Sequence, residues 1–119
     1  MPGKKLIGIV SDTHDNRESI VGAVRLFNRR GCSLVVHAGD FVAPFTAREF
    51  AKLDCPFIGV FGNNDGERKG LLARYSTFGE LHEGPHEFTF GGRKFALMHE
   101  PAHLDDYLAR GGVDVIVYG

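Results

Sequence analysis

The chain is short of several things whose presence would have pointed elsewhere. It has two cysteines, Cys32 and Cys55, and neither sits in a Cys-x-x-Cys pair or a zinc-type spacing. That argues against a disulfide framework or a structural zinc site and for two buried free thiols in a reducing compartment. There is no charge bias either, since 14 basic and 15 acidic residues give a net charge of −1. Such a balance offers no electrostatic footprint for stable nucleic-acid binding or for an anionic membrane. No apolar run approaches the roughly 20 residues that span a bilayer. Lys4 and Lys5 precede only a short apolar run, broken by Gly8 and Asp12. No signal peptide is therefore expected, and the chain reads as cytoplasmic. Internal repeats, linkers and low-complexity tracts are missing too.

What is present suits one domain over residues 1–119, with a real core: 43% of the residues are hydrophobic and 24% charged. Leu6 to Val10 is a short, continuous, β-branched run and reads as a buried strand. A helix follows, with Asn16 as its N-cap, Glu18 in the first turn, and Ile20, Val24 and Phe27 at helical spacing. Arg29, Arg30 and Gly31 punctuate its end. Leu34 to Ala38 is a second strand, and Pro44 can open the next helix, with Phe45, Phe50 and Leu53 as core contacts. Pro56 to Phe61 is a third strand, followed by a helix through Leu71, Leu72 and Tyr75. Gly79 to Pro85 reads as a surface loop. His86 to Phe90 and Arg93 to Met98 flank Gly91-Gly92, a hairpin signature. A short helical stripe of Leu104, Tyr107 and Leu108 leads to a last strand, Val113 to Tyr118. The βαβαβα opening predicts a parallel sheet with right-handed crossovers.

Metal-binding side chains recur where these strands end. The first strand is followed by Asp12 and His14, the second by Asp40, the third by Asn63, and the hairpin by His99. If the parallel strands are neighbours, about 4.8 Å apart, these groups come within side-chain reach of one another. Two carboxylates, two imidazoles and an amide suit borderline ions such as manganese, iron or zinc better than calcium. More than three such ligands suggest two ions sharing one carboxylate. Gly39 and Gly62 stand before Asp40 and Asn63 and would let the backbone turn sharply there. Any one of these positions alone reads as a helix cap or turn residue. Their joint order is far more specific.

Asp12-Thr13-His14, Gly39-Asp40, Gly62-Asn63-Asn64-Asp65 and His99 together resemble the calcineurin-like metallophosphoesterase superfamily, in particular its short prokaryotic phosphodiesterase branch. The resemblance covers essentially the whole chain. It implies an α/β fold, a β-sandwich flanked by helices in four αββα layers. It implies a phosphodiesterase that cleaves small phosphate esters in line with hydroxide activated by two divalent ions. Manganese is the first expectation for those ions, with iron, zinc and nickel as alternatives. Asp12 and His14 would hold one ion, Asn63 and His99 the other, and Asp40 would bridge. Asp65 would act with Asn63 and His99 in catalysis, orienting neighbours rather than binding metal. Asn64 and Arg68 are candidates to face the substrate, although for Arg68 a solvated helix face is the plainer reading.

Three departures qualify that picture. The family's closing Gly-x-His-x-His motif is missing, although Gly119 matches its first residue, so the domain reads as truncated at its C-terminus. Its last strand would then be an open edge, favouring a homo-oligomer. Asn64 stands where many relatives carry a proton-donating histidine, a task that an amide cannot perform. Glu100 replaces a usual glycine after His99 and would repel substrate phosphate. These departures leave a scaffold protein, or an inactive fragment of the enzyme, as alternatives. Among the other polar residues, His37 reads as a hydrogen-bonded core histidine and His82 and His86 as surface residues. Arg17 reads as a solvated helix residue, and His103 is ambiguous between surface and site.

Overall fold

The computed structural model describes residues 5–14, 16–41, 46–62, 65, 68–101 and 104–119. The elements run β1 (Ile7–Val10), α1 (Arg17–Arg29), β2 (Leu34–His37), α2 (Ala47–Phe50), β3 (Phe57–Val60), α3 (Arg68–Tyr75) and β4 (Glu80–His82). They continue with β5 (His86–Phe90), β6 (Arg93–Met98), α4 (Leu104–Arg110) and β7 (Val115–Tyr118). One sheet has the order β1-β2-β3-β4 and is parallel throughout. The other has the order β5-β6-β7, with β5 antiparallel and β7 parallel to β6.

Local chemistry accounts for most boundaries. The Asn16 side chain accepts a hydrogen bond from the Ser19 N–H and so satisfies one of the unpaired donors that open α1. Glu18 lies in its first turn and Arg29 in its last, both favourable to the helix dipole. Ile20 and Val24, one turn apart, are its buried face. Gly91 and Gly92 close the β5–β6 hairpin, where Phe90 pairs with Arg93.

Strand alternation then builds the layers. On one face of the first sheet, Val35, Phe57 and Leu81 pack with Ile20, Val24, Phe50, Leu71 and Tyr75 of the three helices. Aromatic rings dominate this layer: Phe50 and Phe57 lie 5.2 Å apart, and Phe41 meets Tyr75 edge-on at 4.8 Å. Burial pushes the Tyr75 hydroxyl pKa up, so it stays protonated and shares a 2.7 Å hydrogen bond with Thr46. The opposite face presents Leu34, Val36, Ile58 and Val60 to Phe95, Leu97 and Val117 of the second sheet. Beyond that sheet, Ala96 and Met98 pack on Tyr107 of α4. The result is the expected four-layer αββα sandwich.

Three local expectations need correction. Glu80–His82, within the stretch read as a surface loop, is a strand paired in parallel with β3. Only Leu81 in it is buried, so it carries no periodic signal; main-chain bonding to β3 makes the strand. β1 is not wholly buried, because it lies at the edge of its sheet and leaves Ile9 56% exposed. In the α4 stripe, Tyr107 is buried but Leu108 is 68% exposed. Seven residues are too few for the pattern to define which face turns inward. The expectations for Pro44 and Phe45 lie outside the described residues.

Candidate metal centre at the strand ends

Parallel pairing aligns the carboxyl ends of β1, β2 and β3, with Val10 opposite His37 and His37 opposite Gly59. In such a sheet ligands bind in the crevice at those ends. Asp12 and Asp40 come from the loops after β1 and β2, and His99 comes from the residue just after β6 in the other sheet. Ligand atoms of Asp12, Asp40 and His99 all lie within 4.8 Å of one another. The His99 Nε2 atom is 3.6 Å from Asp40 Oδ2 and 3.9 Å from Asp12 Oδ1. His14 Nε2 is 3.8 Å from the same Asp40 Oδ2. These separations are too long for hydrogen bonds. Ligands around one ion or an adjacent pair of ions, each about 2.1 Å from its ion, stand roughly 3–4 Å apart in this way. Two carboxylates and two imidazoles therefore fit divalent ions of the borderline class.

The backbone here is strained to place those groups. Asp12, His14 and Asp40 have φ of 55°, 51° and 67°. Left-handed backbone costs a non-glycine residue roughly 1–2 kcal/mol and persists only where surroundings enforce it. The enforcing bonds are visible. The Asp12 N–H donates to the Gly39 carbonyl and the His14 N–H to the Asp40 carbonyl, both at 2.9 Å. Gly39, at φ +110°, leaves no room for a side chain beside Gly62 and His99. A Cβ on Gly62 would lie 2.2 Å from Asp40 Oδ1. Both glycines thus let the loops after β2 and β3 approach closely.

Hydrogen bonds fix the ring states. His99 Nδ1 lies 2.8 Å from the Ala38 carbonyl, which can only accept, so Nδ1 carries the proton. Nε2 is then the ring nitrogen left to ligate an ion beside Asp40 and Asp12. His37 is fully buried, as expected, and stacks on Phe41. Its Nδ1 accepts from the Gly39 N–H, so Nε2 must donate, here to Thr13 Oγ1 at 2.9 Å. Burial, reinforced by His99, lowers its pKa to about 3 and keeps it neutral. One core imidazole thus ties the loop after β1 to the loop after β2.

Asp65 is buried, and its Oδ2 accepts from the main-chain N–H groups of Asp40 and Gly62 at 2.9 and 2.7 Å. That is the orienting contact foreseen for it. Arg68 pairs with Glu83, donates to the Asp65 carbonyl at 3.1 Å and stacks over Phe61. Arg17 is largely exposed but does not stand alone, pairing with the buried Glu49 at 3.1 Å. Glu100 is exposed beside His99. Asn63, Asn64 and His103 lie outside the described residues.

Two contacts at the site were not part of the sequence reading. Ser11 donates to Asp12 Oδ2 at 2.6 Å, and Gly119 comes so close that a Cβ on it would stand 2.3 Å from Ser11 Oγ. For Ser11 the signal was its place beside Asp12. For Gly119 the contact is visible only in three dimensions.

An αββα sandwich with carboxylates and imidazoles gathered at its strand ends has the donor set of a metal-dependent hydrolase. The calcineurin-like phosphoesterase superfamily domain matches residues 6–119. The chain is 35% identical over 117 residues to phosphodiesterase MJ0936 of Methanocaldococcus jannaschii, covering 95% of this chain and 70% of the relative. It superposes on a solved structure described as a novel archaeal phosphodiesterase with a TM-score of 0.89 at 34% identity. That match covers 95% of this chain and 71% of the other. A protein of unknown function from Aquifex aeolicus, AQ665, shares the fold at a TM-score of 0.66 and 18% identity, over 98% of this chain and 78% of that one. The chain belongs to the calcineurin-like phosphoesterase superfamily and is a hydrolytic phosphoesterase. No helix among the described residues is long and apolar enough to cross a membrane.

Proposed function

We propose that residues 1–119 act as one phosphodiesterase domain that hydrolyses small phosphate diesters with two divalent ions, manganese foremost. The observation that carries this reading is the position of Asp40. A single carboxylate oxygen of Asp40 lies 3.8 Å from His14 Nε2 and 3.6 Å from His99 Nε2. That arrangement supports a carboxylate shared by two ions, each with an imidazole of its own. Asp12 and His14 would complete one ion's ligands, and Asn63 and His99 the other's. When bound, such ions lower the pKa of water to supply a nucleophile and neutralise charge developing on the phosphoryl oxygens.

The chain's own residues do the positioning. Asp65 holds the Asp40 and Gly62 backbone, so the shared carboxylate is aimed before substrate arrives. The Ala38 carbonyl orients His99, and Ser11 holds one oxygen of Asp12. Arg68, at the rim, is positioned to attract phosphate once it exchanges Glu83 for substrate. Asn64 supplies no proton to the leaving group, so diesters with acidic leaving groups should turn over best.

The test is hydrolysis of an activated aryl phosphodiester by chelator-treated protein. Activity should return with manganese and fall by at least ~10²-fold in Asp40→Asn. Activity that needs no metal, or that survives Asp40→Ala, overturns the mechanism.

A further inference from the structure

A second group of metal-binding side chains lies at the other edge of the sandwich and shares no residue with the centre above. Ligand atoms of Glu80, His82 and His86 all lie within 4.8 Å of one another. Glu80 and His82 belong to β4, at the opposite edge of the first sheet from β1. His86 opens β5, an edge strand of the second sheet.

Strand alternation shows how they meet. Leu81 packs into the helix-side core, so its neighbours Glu80 and His82 point the other way, toward the second sheet. On β5, Phe88 and Phe90 pack into the core between the sheets, and His86 continues their row. The three donors therefore converge from two sheets at the open margin of the inter-sheet core. A histidine takes the place that an apolar side chain would fill. The His82 and His86 rings stack, with centroids 3.6 Å apart and planes 11° from parallel. His82 Nε2 lies 2.9 Å from Glu80 Oε1.

We propose that Glu80, His82 and His86 form a separate site for a borderline divalent cation of the zinc or nickel class, which clips the margins of the two sheets together. Two imidazoles and one carboxylate are a donor set for such ions, and a poor one for magnesium or calcium, which take oxygen ligands. Binding requires one ring to rotate out of the stack and Glu80 to exchange its histidine partner for the ion. The ion would join two edges that are otherwise connected by the short turn from Glu83 to Pro85.

The test uses the untagged full chain titrated with zinc alone, comparing wild type with His86→Phe and Glu80→Gln. His86→Phe extends the aromatic row of β5 and should fold at least as well as wild type without metal. We expect it to bind one zinc fewer by equilibrium dialysis and to lose part of the zinc-induced rise in Tm. Glu80→Gln should bind that zinc at least ~10-fold more weakly. Manganese-dependent hydrolysis should be unchanged in both variants, which separates this site from the catalytic centre. Equal zinc stoichiometry and equal Tm gain in wild type and His86→Phe would overturn the proposal.

Discussion

Asp40 joins a left-handed backbone, near-complete burial and a carboxylate facing two imidazoles. These demands can be separated by substitution. Asparagine tolerates left-handed φ and keeps the side-chain shape, whereas alanine tolerates it less and empties the site. In chelator, Asp40→Asn should stay within about 1 kcal/mol of wild type by denaturant unfolding, since it removes a buried charge. Asp40→Ala should be less stable than Asp40→Asn by about 1 kcal/mol, with both inactive. His37 makes a different prediction. Its folded pKa, about 3, lies below the ordinary 6.5. As pH falls through that window the unfolded chain takes up a proton that the folded chain refuses. Stability is therefore full above pH 6.5 and declines toward pH 3, by up to about 1.4 kcal/mol per pH unit. Unfolding of His37→Gln at pH 4 to 7 should show a shallower decline than wild type. At this scale the gathering of Asp12, His14, Asp40 and His99 was legible from their order. The left-handed backbone and the His37 tie were not, because they depend on contacts between loops some 25 residues apart.

Among the described residues after β3, Gly62 and Asp65 are both tied closely to Asp40. Gly62 presses against Asp40, and Asp65 bonds both. Gly62→Ala should therefore destabilise by roughly 2–3 kcal/mol and weaken metal-dependent activity together. An exposed site elsewhere should separate the two effects. Asn16→Ala, which removes the α1 cap, should cost about 1 kcal/mol in thermal or denaturant unfolding and leave kcat within about twofold. Element identity was legible wherever local chemistry was strong: the capped α1, the Gly-Gly hairpin, and the β-branched runs of β2 and β3. It failed at β4, where one buried leucine between two polar residues gives no period, and at Leu108 in a helix of two turns.

Across the whole molecule, metal binding and folding should be linked, because the donors converge from separate elements and both sheets. Manganese at about 100 times its dissociation constant would add roughly 2.7 kcal/mol, or about 10 °C in Tm. Thermal scans with manganese and with chelator would measure this, and Asp40→Ala should abolish most of the difference. The sequence by itself determined the types of most elements, the parallel opening unit, and which side chains could hold metal. Those properties reside in residue type and short-range spacing. Only the tertiary structure decided that β1 lies at an edge, that β4 exists, and that His82 and His86 stack across the sheet margin rather than standing apart on the surface. Strand order and pairing between distant segments follow from burial summed over the whole chain, and no local window carries that sum.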